Sequence, residues 1–103
     1  MSFQTMPTYL LNGVTANGAG VGQPLGSPRV FTLYVQSANF GDGTVNIEMS
    51  GDNVNWTKLN YNGAVFAATQ NFIVGFTNTT MGQYLRAFLS GATSPSPFYV
   101  YLL

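Results

Sequence analysis

Three carboxylates, Asp42, Glu48 and Asp52, are the only acidic groups in this 103-residue chain. Arg29, Lys58 and Arg86 balance them to a net charge of zero. Two carboxylates flanking a bond are the minimum equipment for cleaving a glycoside, and Asp42 with Asp52 could begin a calcium site. The surrounding residues give both aspartates a plainer role. Asp42 lies in Gly41-Asp42-Gly43 and Asp52 in Ser50-Gly51-Asp52-Asn53, and an aspartate in such a turn bonds its own backbone. Calcium also needs carboxylates beyond this pair. The chain has no histidine and no cysteine, which removes histidine-based triads, the usual general base, thiolate chemistry and the common transition-metal ligands. The glycines between Gly13 and Gly26 lack the Gly-Lys-Ser/Thr ending and the following helix of a phosphate loop. The expectation is a protein that is not an enzyme and that binds no cofactor or metal.

Trp56, the only tryptophan, has two readings. Exposed, it is a sugar-stacking platform, with Tyr61 as a second loop aromatic. Packed, it anchors the core or its rim, as large aromatics do in small β domains. The packed reading is the stronger one.

These residues need elements to hold them, and the stretch Thr44–Leu59 is the organising one. Val45, Ile47 and Met49 alternate with Asn46, Glu48 and Ser50, the period of a strand with one buried face. Ser50–Asn53 then turns, and Trp56 and Leu59 begin the return, so the stretch reads as a hairpin with Trp56 at the mouth of the core. Earlier, Thr8–Leu11 is a short strand, Asn12-Gly13 a turn signal, Val14–Val21 an irregular or edge segment, and Gly22–Pro28 a loop. Arg29–Ser37 is the strongest strand, with Phe31, Leu33 and Val35 on one face and Val30, Thr32, Tyr34 and Gln36 on the other. Asn60–Gly63 is a second Asn-Gly turn. Gln70–Phe76, Gln83–Ser90 and Phe98–Leu103 follow as strands. No stretch of 11 or more residues has a helical period. The prediction is an all-β fold, a small antiparallel β-sandwich or jelly-roll-like barrel without significant helix. Residues 1–7 form an N-terminal arm and residues 8–103 a single domain.

Composition adds one anomaly. Hydrophobic residues make up 46% of the chain and aromatics 15%, but only 6% are charged, against about 25% in ordinary globular proteins. So few charges give little electrostatic resistance to association, which suits a chain that ends up inside an assembly. Three basic residues are too few to track phosphates, so no nucleic acid is expected, and no anionic membrane surface. The first residues have neither the basic nor the apolar region of a signal peptide, and no apolar run approaches the roughly 20 residues of a membrane helix.

The partner surface is predicted from alternation. With Leu85, Ala87 and Leu89 facing in, Tyr84, Arg86 and Phe88 face out. With Phe98, Val100 and Leu102 facing in, Tyr99 and Tyr101 face out. The short Gly91–Pro97 connection predicts that these two strands pair as a hairpin, gathering the aromatics and Arg86 on one exposed face. Tyr and Arg are enriched in interface cores. The predicted interface is Tyr34, Tyr84, Arg86, Phe88, Tyr99 and Tyr101.

The order of motifs resembles small all-β structural proteins of tailed bacteriophages. Those chains open with Leu-Leu-X-Gly-Val-Thr-Ala-X-Gly-Ala-Gly, here Leu10–Gly20, and continue with a strand like Phe31–Val35. A Val-X-Ile/Val-X-X-Ser-X-Asp-Gly-X-X-Trp-X-X-Leu unit follows, here Val45–Leu59, with Asn53 in place of the usual glycine. They close with segments like Gln83–Ala87 and Val100–Leu102. The resemblance implies a virion component, a capsid decoration (cement) protein or a tail or fibre part. A decoration protein is made in the host cytoplasm, sits on the capsid surface, and binds the major capsid protein and copies of itself as a trimer. The Asp-X-X-X-Trp and Tyr-X-Arg spacing is also similar to a trimmed discoidin-type carbohydrate-binding jelly roll, whose binding loops have no counterpart here. That keeps a glycan- or receptor-binding module as the alternative.

Overall fold

The computed structural model describes residues 7–79 and 81–103, so the arm predicted over residues 1–7 lies outside the described residues except for Pro7. The chain is all-β, and no helix occurs among the described residues. Its strands are β1 (Thr8–Val14), β2 (Gly18–Ala19), β3 (Gln23–Pro24), β4 (Arg29–Gln36), β5 (Thr44–Ser50), β6 (Thr57–Lys58), β7 (Asn60–Tyr61), β8 (Ala64–Val65), β9 (Ala67–Ala68), β10 (Phe72–Asn78), β11 (Tyr84–Ser90) and β12 (Phe98–Leu102). They build a small β-sandwich. Sheet A has the order β1-β12-β4-β10, all antiparallel. Sheet B runs from β2 and β3 through β11 and β5 to β6 and β9.

Alternation sets the core as the sequence predicts. Sheet A contributes Phe31, Leu33, Val35, Phe98, Val100 and Leu102, and sheet B contributes Val45, Ile47, Leu85, Ala87 and Leu89, all buried. Phe40 closes one end, its ring edge-on to Phe98 at 4.8 Å. The β7–β8 hairpin fills a side of the sandwich, placing Tyr61 and Phe66 against Phe72 and Phe76 of β10. Its turn is the Asn-Gly pair read from the sequence, with Asn62 at φ 51° and Gly63 at φ 80°, the left-handed pair that a tight two-residue hairpin requires.

Three expectations need correction. Asn12-Gly13 is not a turn: β1 runs straight through it. Gly13, at φ 72°, is the extra residue of a bulge, since Asn12 pairs with Tyr99 and Val14 with Phe98. A second bulge at Leu10 lets the consecutive Leu10 and Leu11 both turn inward, which strict alternation forbids. Gly22–Pro28 is not wholly a loop, because Gln23–Pro24 pairs with the start of β11. Most consequentially, β11 and β12 do not form a hairpin. Both flanks of β11 are taken, by β5 and by β2 with β3, and both flanks of β12 are taken, by β1 and β4. Residues 91–97 instead carry the chain across from one sheet to the other, a gap of about 10 Å that seven residues span easily.

Candidate functional site

Because β11 and β12 lie in opposite sheets, the six predicted interface residues separate into two sets of three. Tyr84, Arg86 and Phe88 face outward from sheet B. Tyr34, Tyr99 and Tyr101 face outward from sheet A.

On sheet B the charged outward groups are engaged with one another. Register places Arg86 opposite Glu48, and Arg86 Nε donates to Glu48 Oε1 at 2.7 Å. The two side chains are 23% and 12% exposed. Trp56 lies over Arg86, its ring centroid 4.2 Å from the guanidinium carbon. It therefore takes the rim position rather than the core, half-buried on the outer face. Gly22 makes room for it: a Cβ there would come within 2.8 Å of the Trp56 ring and 2.3 Å of Asn53 Oδ1. The Ser50–Asn55 loop that presents Trp56 is organised by Asp52. Asp52 Oδ1 accepts from the amides of Val54 and Asn55 and from the Ser50 hydroxyl, and Oδ2 accepts from Asn55 Nδ2. Those bonds, the Asn55 and Val54 amides foremost, hold the carboxyl well below the usual carboxylate range. Asn53, which stands where the motif has glycine, sits at φ 61°, a conformation asparagine tolerates. Asp42 occupies the tip of its own turn at φ 65°, closed by the Gly43 amide on the Phe40 carbonyl. Each carboxylate is thus built into a separate structural feature, two in turns and one in an ion pair.

Sheet A presents a different surface. Register aligns Tyr9 with Tyr101 and Tyr101 with Tyr34, and Tyr34 in turn with Ile73. The result is one apolar row crossing all four strands. The Tyr9 and Tyr101 rings are 5.4 Å apart, and Tyr101 stacks on Tyr34 at 4.9 Å. The Tyr101 hydroxyl donates to Gln36 Oε1, and Tyr99 lies over the bulge at Gly13 with its hydroxyl oxygen 3.7 Å from the position a Cβ would take. Ile73 is 60% exposed and Val30 73%. The outward residues of β4 and β10 are otherwise Thr32, Gln36, Gly75 and Thr77, so among the described residues this face carries no charged side chain. The one charged residue in the strands of sheet A, Arg29, stands at the start of β4 with its guanidinium near the Phe31 ring.

No protein-family model, no curated protein and no solved structure matches this chain.

Two members of the row, Tyr9 and Ile73, escape the sequence reading. Ile73 alternates with Phe72 and Val74, so its signal was present. Tyr9 was masked by the Leu10 bulge, which breaks the alternation beside it. The two loop aromatics of a sugar platform are both engaged within the chain, Trp56 against Arg86 and Tyr61 among Phe66, Phe72 and Phe76. A cleft of about 260 Å³ beside Tyr61, Phe66 and Phe72 is lined by apolar and uncharged polar residues.

Proposed function

We propose that this chain is a non-enzymatic structural protein of a bacteriophage virion, a capsid decoration protein that stabilises the head by binding across neighbouring subunits of the major capsid protein. The observation that carries the reading is the row Tyr9–Tyr101–Tyr34–Ile73 on a sheet face without charge. Tyrosine offers a rigid ring with a polar tip, the combination that dominates protein interface cores. A face with no ionised group can be dried without the cost of desolvating ions, and an exposed apolar patch of this kind marks a contact. The motif order over Leu10–Gly20, Val45–Leu59 and Gln83–Ala87 supports the virion setting.

The test is the protein composition of purified particles, followed by re-coating of particles stripped of the chain. Wild-type protein is expected in the particles and on the re-coated heads. Tyr34→Arg is expected to fold and to leave heads bare. Absence of the chain from purified particles overturns the proposal. Binding on a glycan array that is lost in Trp56→Ala and kept in Tyr34→Arg assigns the chain to the glycan-binding alternative instead.

A further inference from the structure

Open strand edges in this molecule are handled unequally. The outer edge of sheet B is broken on both sides into two-residue pieces, β2 and β3 along β11, β6 and β9 along β5. The β1 edge of sheet A is interrupted by its two bulges. Short pieces and bulges are the standard ways by which a sheet discourages another chain from pairing with it. The remaining edge, β10, has none of them. Its seven residues, Phe-Ile-Val-Gly-Phe-Thr-Asn, keep unbroken register with β4 from Phe72 to Asn78, with no bulge, proline or charge. Among the described residues no strand pairs with its far side. Tyr61 and Phe66 reach Phe72 and Phe76 from the inner face.

Gly75 at the centre of β10 points the same way. Glycine inside a strand weakens it and marks a bulge, a bend, or the close approach of another backbone. Unbroken register excludes the bulge. Its φ lies outside the left-handed region, and a Cβ built there meets nothing within 4 Å. The fold of the single chain gives no reason for this glycine.

We infer that β10 pairs antiparallel with β10 of a second copy about a twofold axis at Gly75, joining two four-stranded sheets into one of eight strands. An edge of alternating N–H and C=O groups is completed by another strand and by little else. The strand is complementary to itself. Centred on Gly75, Ile73 faces Thr77 and Val74 faces Phe76 of the other copy, apolar and β-branched cross-strand pairs of the stabilising kind, and no like charges meet. The contact extends the tyrosine row of sheet A toward its counterpart on the second molecule. Being isologous, it produces dimers rather than the three copies the phage resemblance implies. It depends on the strand topology alone and stands whether or not the chain belongs to a virion.

The test is sedimentation equilibrium of the full chain, with hydrogen exchange across the same concentration range. Wild type is expected to form a concentration-dependent dimer, with the amides of β10 exchanging more slowly as it forms. The doubly substituted Ile73→Lys/Thr77→Lys places lysines opposite each other across the axis and is expected to associate at least roughly tenfold more weakly. Ile73→Glu/Thr77→Lys puts opposite charges in the same places and is expected to remain dimeric. Val21→Lys/Val54→Lys, at exposed positions near sheet B, adds the same charge away from β10 and is expected to leave the dimer intact. Circular dichroism confirms folding of each variant, and Tyr34→Arg separates this contact from the capsid-binding face. A monomer at every concentration, a trimer, or a dimer indifferent to the sign of the charges at positions 73 and 77 overturns the inference.

Discussion

The ring of Tyr34 lies on that of Tyr101 with centroids 4.9 Å apart and planes 7° from parallel. The two residues are direct partners on adjacent central strands, and Tyr101 touches Tyr9 on its other side. The row is therefore a structural part of sheet A as well as a surface.

Tyr101→Ala removes both ring contacts and the bond to Gln36, and should cost about 1–3 kcal/mol of folding stability. Tyr99→Ala, at a side chain 40% exposed, should cost less than about 1 kcal/mol. Both should weaken association, so the second separates binding from folding. Urea unfolding gives the stabilities and the particle re-coating assay the association.

Asp52 makes stability depend on pH in the acid range. Its folded-state pKa is lowered by the amides of Asn55 and Val54. The stabilisation is therefore fully present above the unfolded value of about 4 and is lost as pH falls below it toward the folded value. Urea midpoints should drop from pH 4 downward in the wild type. Asp52→Asn should be less stable at neutral pH and flatter over that acid window.

Gly22→Ala drives a methyl group into Trp56 and Asn53. The Trp56 ring should be displaced from its place over Arg86, at a cost of about 1–3 kcal/mol. Trp56 is the chain's only tryptophan, so its fluorescence reports the change directly as a shift to longer wavelength.

Two glycines in sheet A should respond oppositely to alanine. Gly13→Ala forces a side chain to φ 72° and should cost about 1–2 kcal/mol. Gly75→Ala meets no such strain and open space, and should leave the folded monomer unchanged or firmer by about 0.5 kcal/mol. Thermal melts of dilute protein distinguish the two.

Side-chain alternation made much of this fold readable. Phe31/Leu33/Val35, Leu85/Ala87/Leu89 and Phe98/Val100/Leu102 all face the core as their spacing says, because a period of two leaves one choice of face. Sheet membership was not readable. Neighbouring strands usually pair, but nothing in Gly91–Pro97 reveals that both sides of β11 are already occupied by segments far away in the chain. The Asn12-Gly13 signal reads as a reversal because a bulge and a tight turn ask for the same left-handed glycine. Size alone suggests a packed position for Trp56, while its location is decided by the Arg86–Glu48 pair, a cross-strand relation between residues 38 apart. The tyrosine row meets two of these difficulties, since its members come from four strands and one sits beside a bulge.

β12 occupies an interior slot of sheet A, with β1 on one flank and β4 on the other. During synthesis, residues 98–102 leave the ribosome after the strands they must join, and until then β1 and β4 have nothing between them. Assembly of this sheet is therefore a late, all-at-once event, slow in the manner of folds built from distant pairings. Loss of residues 98–102 would therefore split the core between β1 and β4.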